Sequence, residues 1–249
     1  FLRRFLYSYS PLLLSVVEVY FIFNFLSLRT LLRRGEEVKE ALEEGDMPRA
    51  RKNLKHLVGR DTNYLSEQEV VRGCVESLAE SFNDGVVAPL FYISLLGALG
   101  GLIYKVTNTL DSMLGYKNSR YFCFGFASAR WDDLLNFIPA RLSVLFISFA
   151  AFLLGHRGEN ALLVAFRDAR KHQSPNSGWP ESAMAGALGV RLGGVNYYGG
   201  KREESAFLGD FIVDLAPERI GEALSVVRLG SFLALGFLGA LSIVIGRIW

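Results

Sequence analysis

Three carboxylates stand close together near the end of one predicted helix. Arg72, Glu76 and Glu80 follow at intervals of four, so a helix over about 67–82 places them on one face, with Asp84 just beyond. Carboxylate oxygens are ligands that Mg²⁺ prefers, especially where substrate phosphates complete its shell. The alternative is a surface ladder of ion pairs from Arg72, each pair contributing only a few tenths of a kcal/mol. An uncharged apolar stretch follows the carboxylates directly, which favours a metal or ligand site over a surface ladder of ion pairs.

Two further polar clusters border apolar stretches. Asn108 and Asp111 lie three residues apart, on one face of a helix. Asp132 and Asp133 begin a helical stretch in which Arg141 stands among apolar residues. Placing an ionisable group beside a membrane segment costs free energy, so such a group indicates function by default. For Asn108 and Asp111, helix capping and packing remain the alternative. We expect Arg141 to contact a carboxylate or a bound phosphate.

A polar loop over residues 168–181 leads into a predicted helix N-terminus, where backbone N–H groups can bind anions. The loop contains Lys171, Asn176 and Glu181, and Arg191 follows it. The sequence contains no P-loop, zinc-protease, Cys-x-x-Cys or nucleophile-elbow motif. The histidines are scattered and are interpreted as incidental: His56, His156 and His172.

Four long apolar stretches separate these clusters. With at most one charged residue in each, they cover residues 5–28, 85–104, 134–155 and 229–246. A membrane-spanning helix needs about 20 apolar residues, with about 17 as the lower limit. We therefore predict a polytopic integral membrane protein with about four apolar helical segments; the alternative is a soluble helical core.

The stretch 85–104 has two possible folds, because Pro89 stands near its start and glycines cluster near its end. Glycine clusters break helices or let helices pack closely. One interpretation is a continuous span. The other is a re-entrant hairpin, with half-helices near 86–96 and 101–114 and a turn at Gly97–Gly101. Each half-helix would be only about 16 Å long, too short to cross a bilayer, and the second polar cluster would return beside the carboxylates.

The polar segments also have helical patterns. Residues 31–44 are amphipathic and end at a glycine, Asp46 can cap the next helix, and Ser66 with Glu69 has capping-box spacing. Ser128 is predicted to cap the helix that carries the paired aspartates. Since no strand-like alternation is found, the predicted fold class is all-α, with large polar helical segments between the apolar ones.

Composition excludes several classes of protein. The chain has 249 residues, 51% of them hydrophobic, which is incompatible with disorder. Two cysteines cannot hold a disulfide scaffold together, and a net charge of +2 without a basic run argues against nucleic-acid binding. Segments 29–84 and 156–228 hold ten and nine Lys and Arg residues, which predicts that both are cytoplasmic.

Six sequence runs occur together in one order. They are VGRDT (58–62), ESLAES and NDGVVAPLF (76–91), YKVTNTLDSMLGYKN (104–118), FGFASARWDDLLNFIPARL (124–142), HQSPNSGWPESAMAGALGVRLGG (172–194) and YGG (198–200). In this set the chain resembles the adenosylcobinamide-phosphate synthase family, CobD/CbiB, of cobalamin biosynthesis. It departs from the family pattern at Ser81 and Gln173, and the usual N-terminal stretch of the family is absent. The expected organisation is a single membrane-embedded domain over 1–249.

The resemblance implies a carbon–nitrogen ligase of the cell membrane. Such an enzyme joins a carboxylate of adenosylcobyric acid to (R)-1-aminopropan-2-ol or its phosphate, using ATP and Mg²⁺. The implied partners are these substrates and the lipid bilayer, without nucleic acid; the choice of amine and an oligomeric state stay open. A non-catalytic membrane binding or sensory protein is the alternative, and a transporter is a third.

Site residues follow from the clusters and the resemblance together. The candidates for catalysis are Glu76, Glu80, Asp84, Asp111 and Lys117. The candidates for metal binding are Glu80, Asp84 and Asp111. The candidates for substrate binding are Arg60, Asp61, Asn108, Asp132, Asp133, Arg141, Lys171, Asn176, Glu181 and Arg191.

Overall fold

A computed structural model describes residues 26–114 and 122–246 of the chain, together with Ser10, Val16 and Tyr20. The helices are α1 (Leu28–Glu43), α2 (Met47–Leu54), α3 (Glu67–Phe82), α4 (Ala88–Leu96), α5 (Ala98–Leu114), α6 (Phe122–Leu153), α7 (Gly158–Asp168), α8 (Gly178–Leu188) and α9 (Glu218–Gly246). The strands are β1 (Leu192–Tyr198) and β2 (Lys201–Leu208). A π-helical turn, Asn83–Val87, joins α3 to α4, and a 3₁₀ turn, Ala169–Lys171, follows α7.

Local capping signals set several helix ends as predicted. The Asp46 side chain accepts a hydrogen bond from the backbone N–H of Arg49 at the start of α2. Ser66 and Glu69 form a reciprocal capping box at the start of α3. The predicted cap at Ser128 is wrong, because α6 already begins at Phe122, and the Ser128 hydroxyl instead donates to the carbonyl oxygen of Gly125 within the helix at 3.1 Å.

The prediction that the chain has no strands is also wrong. β1 and β2 pair in antiparallel register, with Val195 opposite Glu204. Their sequence lacks regular alternation, and the hairpin is held partly by a distant side chain. Arg72 of α3 donates to the carbonyl oxygen of Val195 at 2.8 Å and to that of Gly193. The fold is therefore mostly helical with one small sheet.

Helix α3 lies at the centre of the core. It packs against α1, α8 and α9, and Leu78 and Phe82 are fully buried among their side chains. Close approach depends on a glycine, because a Cβ on Gly35 of α1 would lie 2.8 Å from Leu224 of α9. This packing fixes the direction in which the polar face of α3 points.

Within the described residues, two helices are long and apolar enough to cross a membrane. They cover Gly125–Leu153 in α6 and Glu218–Gly246, which is α9. These segments contain the predicted stretch 229–246 and most of 134–155. The predicted stretch 5–28 lies almost wholly outside the described residues.

The stretch 85–104 folds back on itself, as the re-entrant alternative requires. Gly97 ends α4 with φ +65°, a conformation that side-chain-bearing residues rarely adopt. α5 then returns along α4, where a Cβ on Gly100 would collide with the carbonyl oxygen of Tyr92. The rings of Tyr92 and Tyr104 stack across the pair at 5.6 Å between centroids. The chain reverses at Gly97 alone rather than over a turn at Gly97–Gly101, and Gly100 lets the two helices pack closely. The reversal returns the polar end of α5 to α3.

Candidate functional site

The polar face of α3 opens onto three cavities, and Glu80 lines all of them. Cavity A, about 230 Å³, has Arg60, Glu76, Glu80, His172, Glu181 and Asn196 among its lining residues. Cavity B, about 320 Å³, is lined in part by Glu80, Asn83, Asp84, Asn108, Asp111, Asp132, Asp133, Asn136, Asn176 and Ser177. Cavity C, about 310 Å³, includes Glu80, Asp84, Lys105 and Asn108. The sequence clusters therefore converge on one face of α3.

Glu76 is already paired within the protein. Arg60, which is buried, donates to its carboxylate at 2.6 Å, and the backbone N–H of Gly193 donates to it at 2.8 Å. Arg60 also donates to Asn196. Arg72 is buried, lies 3.8 Å from Glu76 and binds the β-hairpin. The surface ladder of ion pairs is therefore wrong, since Arg72 is turned into the core.

Glu80 is held differently from Glu76. Its carboxylate accepts a hydrogen bond from the Ser177 hydroxyl at 2.8 Å, at the start of α8. Among the described residues no Lys or Arg lies within ion-pair distance of it. Glu80 is exposed to the cavities, so its carboxylate is free to contact a ligand.

Asparagine amides hold the carboxylates of cavity B in place. Asn83 donates to Asp84 at 2.8 Å and to the side-chain oxygen of Asn136 at 2.9 Å. The amide of Asn108 lies between two carboxylates, 3.4 Å from Asp84 and 3.3 Å from Asp132. The hairpin of α4 and α5 thus brings Asn108 beside the carboxylates of Asp84 and Asp132.

Burial raises the pKa values of carboxyl groups of the site, among them Asp84 and Glu181. Desolvation, with the negative charges of Glu80 and Asp132, raises the pKa of Asp84 to about 7. Desolvation, with the charges of Glu76 and Glu80, also raises the pKa of Glu181 well above its ordinary value. Both groups bind protons far more readily than exposed carboxylates do.

Among the described residues, Arg141 has neutral partners instead of the expected carboxylate, and its expected contact with a bound phosphate stays a prediction. It donates to the carbonyl oxygen of Phe137 at 2.6 Å and to the side-chain oxygen of Asn176 at 3.3 Å. Its guanidinium lies over the rings of Phe137, at 3.7 Å, and Trp179, at 4.7 Å. Aromatic faces and a helix carbonyl satisfy a cation at an apolar helix surface, so no carboxylate is needed.

Besides Arg141, three of the predicted residues that the structure describes do not line these cavities. Asp61 accepts a hydrogen bond from the N–H of Gly200 at 2.7 Å and lines a separate surface cavity. Lys171 pairs with the buried Asp168 at 2.6 Å. Arg191 lies over the ring of Phe207, at 4.5 Å. Lys117 falls outside the described residues.

The described residues contain no group of three His, Cys, Asp or Glu side chains arranged to hold a metal ion. Magnesium is commonly bound by one or two carboxylates, with substrate phosphates and water completing its octahedral shell. Cavity B has donors of that kind, and the side-chain oxygen of Asn83 is buried there without a partner among the described atoms. The oxygen-rich lining therefore fits Mg²⁺ that arrives with a phosphate-bearing substrate.

Sequence reasoning missed several residues of the site. His172, interpreted as incidental, lines cavity A, and so do Asn196 and Tyr198 of β1. Asn196 joins Arg60 and Arg72, but it follows them by more than 120 positions. No local spacing connects these residues, so only the folded chain brings them together.

Fold and site together define a mostly helical protein whose acidic, amide-lined cavities lie beside helices long and apolar enough to cross a membrane. The chain belongs to the CobD/CbiB family, because the family described as "CobD/Cbib protein" matches residues 1–227.

Curated relatives carry names from the same pathway. The chain is 45% identical over 230 residues to the cobalamin biosynthesis protein CobD of Klebsiella pneumoniae, covering 92% of this chain and 72% of that protein. It is 52% identical over 200 residues to the CobD of Geobacter metallireducens, covering 80% and 63%. It is 44% identical over 219 residues to the cobalamin biosynthesis protein CbiB of Salmonella paratyphi B, covering 88% and 69%. No solved structure matches the chain.

Proposed function

We propose that the protein forms an amide bond between a carboxylate of adenosylcobyric acid and (R)-1-aminopropan-2-ol or its phosphate, using ATP and Mg²⁺. The observation that carries the proposal is the position of Glu80, one carboxylate shared by three adjoining cavities. A ligase that uses three substrates must bring them to one point. The cobalamin-biosynthesis names of the relatives favour a corrinoid as the large substrate.

The chemistry sets three requirements. A carboxylate reacts with an amine only after activation, and an acyl phosphate is a common activated form. The ammonium group must lose a proton before it attacks, so a base must lie close to it. Donors must stabilise the negative charge that develops on oxygen.

Residues of cavity B are proposed for the cationic partners. One or two of the carboxylates Glu80, Asp84 and Asp111 would hold Mg²⁺, with water and substrate phosphates as its other ligands, and the bound ion would offset the negative charge of the phosphate oxygens. Asp132 and Asp133 extend the acidic lining and would bind the ammonium group. Asn108 would orient the carboxylate of Asp132, to which its amide donates at 3.3 Å. Asn176 would position the backbone of Asp133, since it donates to that carbonyl oxygen at 2.8 Å.

Residues of cavity A are proposed for the anionic partner. Arg60 is the buried cation of this cavity. Its positive charge would attract a carboxylate or phosphate oxygen that enters the cavity. Glu76 holds Arg60 in place, and Glu181 also lines the cavity.

The proposed location is the cytoplasmic membrane. The two membrane-length helices would cross it, and the Lys- and Arg-rich segments that form the cavities would face the cytoplasm, where ATP is available. The hairpin of α4 and α5 would dip into the bilayer from that side without crossing it.

The direct test is an assay of the purified protein. Adenosylcobyric acid, ATP and Mg²⁺ are incubated with aminopropanol or its phosphate, and the corrinoid product is separated by chromatography. Amide formation that requires both ATP and Mg²⁺ is expected, and the better amine identifies the substrate. Tight corrinoid binding without turnover, under conditions that preserve the fold, would instead support a non-catalytic binding protein.

A further inference from the structure

His172 projects from the loop before α8 into cavity A, and its ring orientation is fixed by the backbone. The N–H of Ser174 lies 3.0 Å from the ring nitrogen Nδ1. The carbonyl oxygen of Ser174, which would accept from a protonated Nδ1, lies farther away at 3.4 Å. Because a backbone N–H can only donate, the shorter contact makes Nδ1 the acceptor, without a proton. In the neutral ring the proton then resides on Nε2.

The Nε2–H group faces the cavity rather than the loop. Nε2 lies 3.7 Å from a carboxyl oxygen of Glu181, beyond normal hydrogen-bond distance, and the ring lines cavity A. Among the described atoms, none accepts a hydrogen bond from Nε2–H, since the hydrogen bonds of the ring involve Nδ1. The protein thus directs one free N–H donor into the cavity.

A buried positive charge belongs to the same cavity. Arg60 lines cavity A and is 6% exposed. Its terminal nitrogens donate to Glu76 and Asn196, and these bonds fix the position of the guanidinium. A fixed N–H donor beside a buried cation is what an anionic oxygen group requires.

We propose that His172 is a substrate-binding and catalytic residue whose Nε2–H donates a hydrogen bond to an oxyanion in cavity A. The ligand class is a carboxylate or a phosphoryl group. This inference rests on the proposed function, in which both groups occur: the carboxylate of the corrinoid and the phosphates of ATP. His172 does not change its proton in this role; it supplies a fixed dipole aimed at negative charge.

Two substitutions separate this role from a purely structural one. His172→Asn places an amide oxygen near the position of Nδ1, where it still accepts from Ser174, but removes the donor at Nε2. His172→Gln places an N–H group near the position of Nε2 but gives up the acceptor near Ser174. His156→Gln, on the loop before α7 and outside the three cavities, is the matched control.

Turnover is measured for each variant, together with its melting temperature. The proposal expects His172→Asn to lose about 100-fold in kcat, the usual effect of removing one oxyanion donor, and His172→Gln to stay within about 10-fold of wild type. His156→Gln should match wild type. The opposite order, with Asn active and Gln inactive, would overturn the proposal in favour of loop positioning, and so would normal turnover in both variants.

A binding readout separates failure of this inference from failure of the proposed function. In protein labelled with ¹⁵N-histidine, the His172 Nε2 resonance should shift when adenosylcobyric acid or a non-hydrolysable ATP analogue is added. A shift with only one of them identifies the anion as carboxylate or phosphate. No shift with either, in protein that turns over normally, would overturn the role of His172 and leave the ligase assignment intact. Protein that forms no amide but shows the shift would refute the ligase assignment alone.

Discussion

At the scale of single residues, the two carboxylates of α3 that share a face have different tasks. Glu76 is bound by Arg60 at 2.6 Å and by the backbone of Gly193. In the part of the chain that the structure describes, Glu80 accepts only from Ser177, and it faces three cavities. The same residue type at the same helical spacing thus supports the fold in one case and is available to ligands in the other. Spacing alone predicts a shared face, and the contacts decide the role.

Glu80→Gln tests the role of the free carboxylate. The amide is isosteric and can still accept from Ser177, so we expect the melting temperature to change little. We expect kcat for amide formation to fall by about 100-fold or more, since charge stabilisation in phosphoryl chemistry is worth several kcal/mol. The control is Glu44→Gln on the exposed loop after α1, which should leave turnover unchanged. Wild-type turnover with unchanged Mg²⁺ dependence in Glu80→Gln would contradict the proposal.

Asp84→Asn tests the burial of a carboxyl whose pKa is raised to about 7. A group with a raised carboxyl pKa binds protons more tightly in the folded state. Its protonation therefore stabilises the fold at low pH, and this contribution falls as pH rises from about 4 to about 7. The shift corresponds to at most about 4 kcal/mol. Melting temperatures measured without Mg²⁺ from pH 5 to pH 8 should decline less in Asp84→Asn than in wild type; equal slopes would contradict the prediction.

At the scale of elements, local signals in the sequence predicted what local contacts determine. Asp46 and Ser66 each accept a hydrogen bond from the N–H group three residues further on, so the local sequence predicts both caps. The β-hairpin was not predictable, because Arg72 anchors it from a position more than 120 residues away. The convergence of the carboxylates needed the reversal at Gly97, which the sequence left as one of two alternatives.

Gly97→Ala tests that reversal. Gly97 has φ +65° and ψ −156°, and a residue with a Cβ is strained there by about 1–3 kcal/mol. We expect a lower melting temperature and weaker amide formation, because the polar end of α5 would no longer be held against α3. Gly236→Ala is the control, since it lies in α9 with open space around its Cβ position. Equal melting temperatures for the two variants would show that the reversal does not require glycine.

At the scale of the whole molecule, the cavities, the β-hairpin and the polar ends of the helices belong to one polar region beside the apolar helices. Exposed apolar side chains cover the outer surfaces of α6 and α9, among them Phe149, Phe152, Phe232 and Phe237. Contiguous apolar surface of this kind suits a bilayer rather than water. The proposed orientation then depends on the Lys and Arg residues alone.

Cysteine labelling tests the orientation. Arg49 and Lys201 are exposed and lie in the two segments predicted to be cytoplasmic. In a background without Cys74 and Cys123, Arg49→Cys and Lys201→Cys should resist a membrane-impermeant maleimide in intact cells. Both should react once the cells are permeabilised, which is the internal control. Labelling of either site in intact cells would reverse the orientation.

Because Glu80 lines three cavities, a ligand in one cavity affects the affinity for a ligand in another. A cation that binds Glu80 from cavity B or C neutralises a negative charge that also lines cavity A. An anion then enters cavity A against less repulsion. Such coupling is reciprocal, so each ligand must raise the affinity for the other by the same factor. One shared side chain would thus suffice to couple a cation in cavity B or C to an anion in cavity A, without any movement of the backbone.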